Sequence, residues 1–289
     1  MIEKNFFTSQ TKVLCLIGNP IEHSMSPIMH NAAIFDLNLD YVYLAFKIKP
    51  ENLRVAVKGI RTFNFIGINV TLPFKQKIMQ YLDEIDPIAK KIGAINTIKN
   101  DEGYLTGKNT DADGGITALK NTGYKISGKN ILLLGAGGAA RALVYKMAEE
   151  ANKIIIINRN LKRALKLSNN IRKNFGINIE AKKLSRNTVK NGCMKADIII
   201  NTTPIGMYPN IDESPIPIEC LHEGLIVYDI IYNPIVTKLI RDANQKGCKT
   251  LGGLDMLVNQ GALAFEWWTN EKPNIGLMKT KVVEFLETN

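Results

Sequence analysis

The feature that most constrains the fold is an aliphatic run that ends in a cluster of glycines. Ile131–Leu134 has the composition of a buried parallel strand, and Gly135-Ala136-Gly137-Gly138 follows it directly. A helix-forming segment, 142–150, then leads to a second aliphatic run, 153–157. Strand, glycine turn, helix and strand in this order predict a dinucleotide-binding unit, because glycines let the backbone approach a pyrophosphate at the start of a helix.

The residues after the second run indicate which dinucleotide is bound. An NAD enzyme usually places Asp or Glu there, against the ribose hydroxyls. This chain has Asn158-Arg159 instead. A guanidinium suits a 2′-phosphate, so the sequence predicts NADP as the cofactor.

The length and the net charge of the chain limit its domain organisation and its classes of partner. A chain of 289 residues is long enough for two domains. The net charge is +10, but the lysines are spread along the chain and no segment interleaves basic with aromatic residues. We therefore expect a basic surface that attracts anionic small molecules, and no nucleic-acid partner.

Targeting and metal signals are not evident in the sequence. No aliphatic run approaches the ~20 residues that span a membrane. Met1–Asn5 carries charges rather than an apolar leader, so we expect a cytoplasmic protein with no membrane partner. The four cysteines are far apart, which favours free thiols and no metal site.

The alternation of strand-like and helix-like segments predicts an α/β protein with mostly parallel sheets. In the first third, strands are expected at 13–17, 41–48, 67–70 and 94–99, and helices at 27–37, 51–61, 75–81 and 85–92. A hairpin turn is expected at 101–103, and a helix from about Gly115 to Asn121. Further strands are expected at 178–182, 197–201 and 226–228, with one more that ends at Leu251, and the segment from Gly253 to Asn289 is expected to form two helices.

Lys75 and Asp111 are candidates for chemistry, each with a structural alternative. Asn69 and Thr71 face the same side of a strand end, and Pro73 is placed to begin a helix with Lys75 in its first turn. A cation there is disfavoured by the helix dipole, so Lys75 is either a solvated lysine or a functional one. Asp111 precedes a predicted helix, where it is either a helix cap or a functional carboxylate.

Other polar residues allow two interpretations as well. Ser26 before Pro27 is typical of a helix N-cap, whereas Ser24 has no such local role and is a candidate for binding a polar ligand. Tyr232 and Gln260 lie on otherwise apolar segments, where they satisfy a buried hydrogen bond or contribute to a site.

Taken together, ordered motifs along the chain carry a family resemblance. They are Gly18-Asn19-Pro20, His23-Ser24-Met25-Ser26-Pro27, Asn69-Val70-Thr71-Leu72-Pro73-Phe74-Lys75, Gly93-Ala94-Ile95-Asn96-Thr97, Asn109-Thr110-Asp111, the glycine turn with Asn158-Arg159, and the segment Gly252–Gln260. From about Val13 to Glu284 the chain resembles the shikimate dehydrogenase family.

The resemblance implies roles for individual residues. Lys75 and Asp111 would form the catalytic pair. The substrate-binding residues would be Ser24, Ser26, Thr71, Asn96, Tyr232 and Gln260, with Asp111 also on a ring hydroxyl. The NADP-binding residues would be Gly135, Ala136, Gly137, Gly138, Ala139, Asn158, Arg159, Arg163, Thr202, Met207, Gly253 and Met256.

The resemblance also implies an architecture and a reaction. An N-terminal α/β substrate domain, 1–110 with 253–289, would accompany a Rossmann-like NADP domain, 111–252, with the C-terminal helices returning to the substrate domain. The reaction would be the reversible, NADPH-dependent reduction of 3-dehydroshikimate to shikimate in aromatic amino-acid biosynthesis, by a monomer or homodimer.

Two alternatives remain open. One is a quinate/shikimate dehydrogenase with relaxed NAD/NADP use, although Arg159 stands where such an enzyme is expected to carry an acid. The other is a non-catalytic ligand-binding paralogue, against which the presence of both Lys75 and Asp111 weighs.

Overall fold

The computed structural model describes residues 7–288, so Met1–Asn5, where we expected no leader peptide, lies outside the described residues. The chain divides into two compact units. The first unit contains the residues up to Thr110 and those from Val258 onwards, and the second contains Asp111–Leu257. Each unit has its own six-stranded sheet.

Strands and helices alternate through the described part of the chain. The strands are β1 (Lys12–Gly18), β2 (Tyr41–Lys47), β3 (Gly67–Val70), β4 (Glu84–Ile85), β5 (Thr97–Asp101), β6 (Tyr104–Lys108), β7 (Asn130–Leu134), β8 (Lys153–Asn158), β9 (Asn178–Lys183), β10 (Ile198–Asn201), β11 (Ile226–Asp229) and β12 (Lys249–Leu251). The α-helices are α1 (Ser26–Asp36), α2 (Leu53–Thr62), α3 (Pro87–Ile92), α4 (Asp111–Asn121), α5 (Gly138–Met147), α6 (Leu161–Phe175), α7 (Arg186–Cys193), α8 (Lys238–Gln245), α9 (Leu254–Thr269) and α10 (Ile275–Thr288).

The sheet of the second unit is parallel throughout, in the order β12-β11-β10-β7-β8-β9. Its inner strands are continuous aliphatic runs, as expected where helices cover both faces of a parallel sheet. The direction in which strands are added reverses between β7 and β10, and the glycine turn follows β7 at that point. The predicted Rossmann-like fold is confirmed.

The sheet of the first unit is mixed, in the order β2-β1-β3-β5-β6-β4. β1 pairs in parallel with β2 and β3, but β5 is antiparallel to both β3 and β6. β4 is parallel to β6, so three of the five pairings in this sheet are parallel, as expected of a mostly parallel sheet. The antiparallel part includes the hairpin between β5 and β6, which was predicted and is confirmed: Glu102 and Gly103 both have positive φ, as a two-residue type I′ turn requires.

The predicted helix at 75–81 is also wrong. Lys75 lies in a turn, and only a short 3₁₀ helix, Lys77–Tyr81, follows. The Lys75 carbonyl accepts a hydrogen bond from the Ile95 amide (2.9 Å), which takes it away from an α-helical ladder. The fully buried Phe74 holds this turn against the core of the first unit.

Two other helices begin earlier than their patterns indicated. α5 starts at Gly138 rather than Ala142, because Gly137 is extended and acts as the N-cap of the helix. α4 starts at Asp111 rather than Gly115, so Asp111 occupies the first turn. Gly138 and Asp111 therefore each lie in the first turn of their helix.

The C-terminal helices complete the first unit. Gly67 on β3 lies directly under Trp268 of α9, and a Cβ at Gly67 would collide with the indole ring. The indole Nε1 donates to the carbonyl of Ile98 on β5 (2.9 Å). α10 packs against α1, so the predicted return of these helices to the N-terminal domain is confirmed.

Among residues 7–288, no helix combines the length and the apolar composition that crossing a membrane requires.

Candidate active site

The glycine turn of the second unit is shaped for close approach of a ligand. Gly135 has φ of +109°, and a Cβ there would collide with the Thr202 hydroxyl, which itself donates to the Leu134 carbonyl (2.6 Å). The backbone then enters α5 at Gly138, whose N-terminal N–H groups favour an anion. This cradle fits the pyrophosphate of a dinucleotide, and it gives Thr202 a supporting role in the turn.

The end of β8 presents the predicted 2′-phosphate residues. The Asn158 amide donates to the Asn160 carbonyl (2.8 Å), and the Asn160 side chain caps α6 by accepting from the Arg163 amide (3.3 Å). Arg159 and Arg163 are both exposed beside this cap. The loop is thus held by amide side chains, and its guanidinium groups are accessible to a phosphate.

Three further predicted cofactor residues lie in the second unit. Met207 is exposed on the loop after β10. Gly253 packs so closely on the Ile230 carbonyl that no side chain fits there. Met256 is buried beside Gly115 of α4. Met207 can therefore meet a ligand in this conformation, whereas Gly253 and Met256 shape the base of the loop region.

A buried carboxylate that sequence reasoning missed fixes the loops after β10 and β11. Asp229 accepts hydrogen bonds from the Asn201 amide (3.0 Å), the Thr237 hydroxyl (2.7 Å) and the Ile231 amide (3.2 Å). Burial raises the pKa of Asp229 to about 6. These loops carry Met207 and the half-buried Tyr232, and Asp229 hydrogen-bonds to a residue near the start of each loop.

In the first unit, Asn96 is the centre of a buried polar cluster. Its Nδ2 donates to the Thr110 hydroxyl (2.9 Å) and to Oε1 of Gln260 (3.0 Å), while its Oδ1 accepts from the Thr110 amide (2.7 Å). Asn96 sits in a loop before β5, because the strand predicted at 94–99 begins only at Thr97. Both protons of its amide are therefore committed to protein partners, and its Oδ1 is the side-chain atom with remaining acceptor capacity.

Ser24 and Ser26, at the start of α1, have the reverse of the roles that their local patterns favour. Ser26 is the first residue of α1 and is buried, while Met25 occupies the N-cap without a side-chain cap. The Ser24 hydroxyl instead accepts from the Ser26 amide (3.3 Å) and so closes the turn. The expectations that Ser26 caps the helix and that Ser24 has no local role are therefore both wrong.

The remaining predicted residues follow a strand or begin a helix: Thr71 and Lys75 come after β3, and Asp111 is the first residue of α4. Thr71 and Lys75 are half-buried after β3, and the Thr71 side chain packs close to Gly18. Asp111 is buried in the first turn of α4, where the helix dipole favours a carboxylate. Lys75 belongs to the first unit and Asp111 to the second, and their pairing stays a prediction.

The described side chains were compared with the groupings that bind metal ions. Within residues 7–288, no group of three or more His, Cys, Asp or Glu side chains is arranged to hold an ion. All four cysteines are free.

Family comparisons cover both units. The shikimate dehydrogenase substrate binding domain matches residues 16–98, the shikimate/quinate 5-dehydrogenase family matches 117–208, and the shikimate 5′-dehydrogenase C-terminal domain matches 253–282. A shikimate dehydrogenase (NADP(+)) of Methanococcus vannielii is 47% identical over 282 residues, covering 97% of this chain and 99% of the relative.

Solved structures agree with these matches. A crystal structure of a shikimate dehydrogenase in complex with NADP+ has a TM-score of 0.89 and 44% identity, covering 97% of this chain and 98% of that one. The Thermus thermophilus enzyme, in complex with NADP(H) and shikimate, has a TM-score of 0.82 and 35% identity, covering 94% and 99%. The resemblance seen in the motifs is confirmed, and the chain belongs to the shikimate dehydrogenase family.

Proposed function

We propose that this protein is an NADP-dependent shikimate dehydrogenase of aromatic amino-acid biosynthesis. It would catalyse the reversible reaction of 3-dehydroshikimate, NADPH and a proton to shikimate and NADP+. The observation that carries this proposal is the identity of 47% to a shikimate dehydrogenase over 97% of the chain. Residues 1–110 with 253–289 would bind the substrate, and 111–252 would bind the cofactor.

The polar groups of the first unit suit a hydroxylated carboxylate. Ser24 and Ser26 would bind the carboxylate, with Tyr232 contributing from the second unit. Thr71, Asn96, Asp111 and Gln260 would hold the ring hydroxyls. The Asn96 geometry sharpens this assignment: because its amide protons are committed, it would accept a hydrogen bond from a ring hydroxyl rather than donate one.

The second unit supplies the cofactor site. The backbone from Gly135 to Ala139 would hold the pyrophosphate, and Asn158, Arg159 and Arg163 would hold the adenosine ribose with its 2′-phosphate. Thr202, Met207, Gly253 and Met256 would surround the nicotinamide. When bound, the nicotinamide supplies the hydride to C3 of the substrate, or accepts it from there.

Side chains of the protein would transfer the proton at the C3 oxygen. Lys75 would carry it, and Asp111 would orient Lys75 and the C3 oxygen. The two groups would titrate as a coupled pair, so the proton belongs to the pair rather than to one member. We place the enzyme in the cytoplasm, as a monomer or homodimer.

The test follows NADP reduction by absorbance with shikimate, and repeats it with NAD and with quinate. We expect turnover with shikimate and NADP, and a preference for NADP over NAD because of Arg159. Quinate is included because the matched family covers shikimate and quinate enzymes. Turnover only with quinate and NAD would favour the quinate alternative, and no turnover with either substrate would favour a ligand-binding paralogue.

A further inference from the structure

Asp229 is the last residue of β11 and pairs in register with Asn201, the last residue of β10. Its carboxylate is fully buried and accepts from the side chains of Asn201 (3.0 Å) and Thr237 (2.7 Å) and from the Ile231 amide (3.2 Å). A buried acceptor holds its donors in place, because a donor that moved away would lose its partner without gaining water. Asp229 therefore fixes one group at the end of β10 and two groups after β11.

Asn201 extends this order into the segment that carries Met207. Its Oδ1 accepts from both the amide and the hydroxyl of Thr203, at 3.0 and 2.7 Å. The Thr203 hydroxyl in turn accepts from the Ile205 amide (3.3 Å). Because the carboxylate of Asp229 is an acceptor, it selects the Nδ2 side of the Asn201 amide and turns Oδ1 toward the loop.

The segment after β11 is connected to the loops on either side of it. The carbonyl of Ile231 accepts from the Gly253 amide (3.1 Å). The carbonyl of Asn233 accepts from the Tyr208 amide (3.1 Å). Tyr232 lies between these two bonded residues, so its backbone is held against both neighbouring loops.

We propose that Asp229 is a positioning residue that fixes Met207 and Tyr232 relative to each other. In the proposed function Met207 meets the nicotinamide and Tyr232 meets the substrate carboxylate. Asp229 would touch neither ligand, but it would set how the two reactants face each other. The inference rests on the proposed function, because that function assigns a ligand to each of the two residues.

The alternative is that Asp229 only stabilises the second unit. Its loss would then lower the melting temperature and weaken every part of the cofactor site alike. Positioning predicts a local loss instead. Arg159 follows β8, three strands away from β11 in the sheet, and Thr202 is bonded to Leu134 rather than to Asp229. A form of NADP without the nicotinamide, 2′-phospho-ADP-ribose, should therefore still bind.

The first experiment compares Asp229→Ala with Asp229→Asn in the full-length enzyme. Asp229→Ala should lower kcat and raise the KM for shikimate, each about tenfold, the size expected for a lost hydrogen bond to a charged group. The Kd of 2′-phospho-ADP-ribose, measured by calorimetry, should stay unchanged. Asp229→Asn keeps an oxygen for the Asn201 and Ile231 amides, so it should restore most of the kcat and of the shikimate affinity.

Asp197 gives a matched control at the opposite end of the same strand. It is a half-buried carboxylate directly before β10, and it accepts from the Asn130 amide at 2.8 Å. Asp197→Ala should lower the melting temperature and leave the kinetic constants and the Kd of 2′-phospho-ADP-ribose unchanged.

A milder pair of variants tests the same connection without leaving three buried donors unpaired. Thr203→Val removes only the hydroxyl on the Met207 side of the network and should lower kcat about threefold, as expected for one neutral hydrogen bond. Thr122 has the same local pattern, donating to a carbonyl (2.6 Å) and accepting from the amide two residues later (3.3 Å). It lies between α4 and β7, before the sheet begins, so Thr122→Val should not change kcat.

The outcomes separate this inference from the proposed function. Absence of shikimate turnover by the unmodified enzyme overturns both. Normal turnover with unchanged kcat and KM in Asp229→Ala overturns the positioning role alone, and so does a loss of 2′-phospho-ADP-ribose binding as large as the kinetic loss. If Asp229→Ala does not fold, the threonine pair decides: equal kcat values in Thr203→Val and Thr122→Val overturn the positioning role.

Discussion

The predicted ligand sites of the two units consist of different chemical groups. In the first unit, buried amide side chains such as Asn69, Asn96 and Gln260 provide the polar groups. In the second unit, the sheet interior is almost entirely aliphatic, and the backbone of the Gly135 turn provides the site. Recognition in the first unit should therefore be sensitive to side-chain chemistry, whereas the second should be sensitive to any added Cβ.

The largest effect is expected from the side chain proposed to carry the proton. Lys75→Ala should lower kcat by roughly 10²–10⁴, the usual contribution of general acid–base catalysis. Lys77→Ala, two residues further on and exposed, is the control and should retain activity. Steady-state kinetics decide the question: an effect confined to KM would mean that Lys75 only binds.

The predicted cofactor site of the second unit is formed mainly by the backbone, but Arg159 would contribute a side chain. Arg159→Ala should raise the KM for NADPH by about tenfold to a hundredfold, as expected for lost hydrogen bonds to a charged group, and should hardly change that for NADH. Lys162→Ala removes an equally exposed charge at the start of α6 and controls for general electrostatics. Equal effects of Arg159→Ala on both nucleotides would contradict the 2′-phosphate assignment.

A substitution in the glycine turn tests whether the backbone forms the cofactor site of the second unit. Gly135→Ala combines a positive φ with a collision at Thr202, a strain of about 1–3 kcal/mol. It should lower the melting temperature and raise the KM for NADPH about tenfold. Gly59→Ala, within α2 and with room for a methyl group, should be neutral or slightly stabilising. A Gly135→Ala enzyme with unchanged NADPH kinetics would show that the turn does not shape the site.

The smallest effect is expected on the free energy of unfolding in acid. One buried group in each unit contributes, and the two contributions change with pH in opposite directions. Burial lowers the pKa of His30 from 6.5 to about 3, so its contribution to stability is full above pH 6.5 and is lost as the pH falls. Burial raises the pKa of Asp229 from 3.8 to about 6, so its contribution is full below pH 3.8 and is lost as the pH rises through 6.

Between about pH 4 and 6 the two contributions have opposite slopes, each at most about 1.4 kcal/mol per pH unit. Relative to the unmodified protein, His30→Phe should become more stable as the pH falls through this window. Asp229→Asn should become less stable over the same window. Urea unfolding at several pH values measures both, and parallel curves for all three proteins would exclude these two groups as the source.

The second unit was largely predictable from sequence because its signals are local. A continuous aliphatic run followed by glycines has few other structures available to it, and Arg159 lies directly at the end of the next run. The first unit was less predictable, because its geometry depends on contacts between distant segments. The Lys75 carbonyl bonds to Ile95, and the Asn96 amide bonds to Gln260, 164 residues later.

The same reason explains what the site prediction missed. Asp229 carries no local motif, and it is identified only by the partners that surround it in space. Ser24 and Ser26 do carry a local motif, but α1 begins at Ser26, one residue earlier than that motif favours, and the Ser24 hydroxyl closes the preceding turn.

The packing of α9 on the first sheet has a consequence for biosynthesis. Trp268 covers Gly67 and bonds to Ile98, while Lys108 lies over the ring of Trp267 at 4.5 Å. The face of that sheet on which Trp268 packs is therefore incomplete until residues 258–269 have left the ribosome. The middle of the chain, whose unit is continuous, can fold before that moment. The order of maturation on the ribosome should thus be the reverse of the order of translation for the two units.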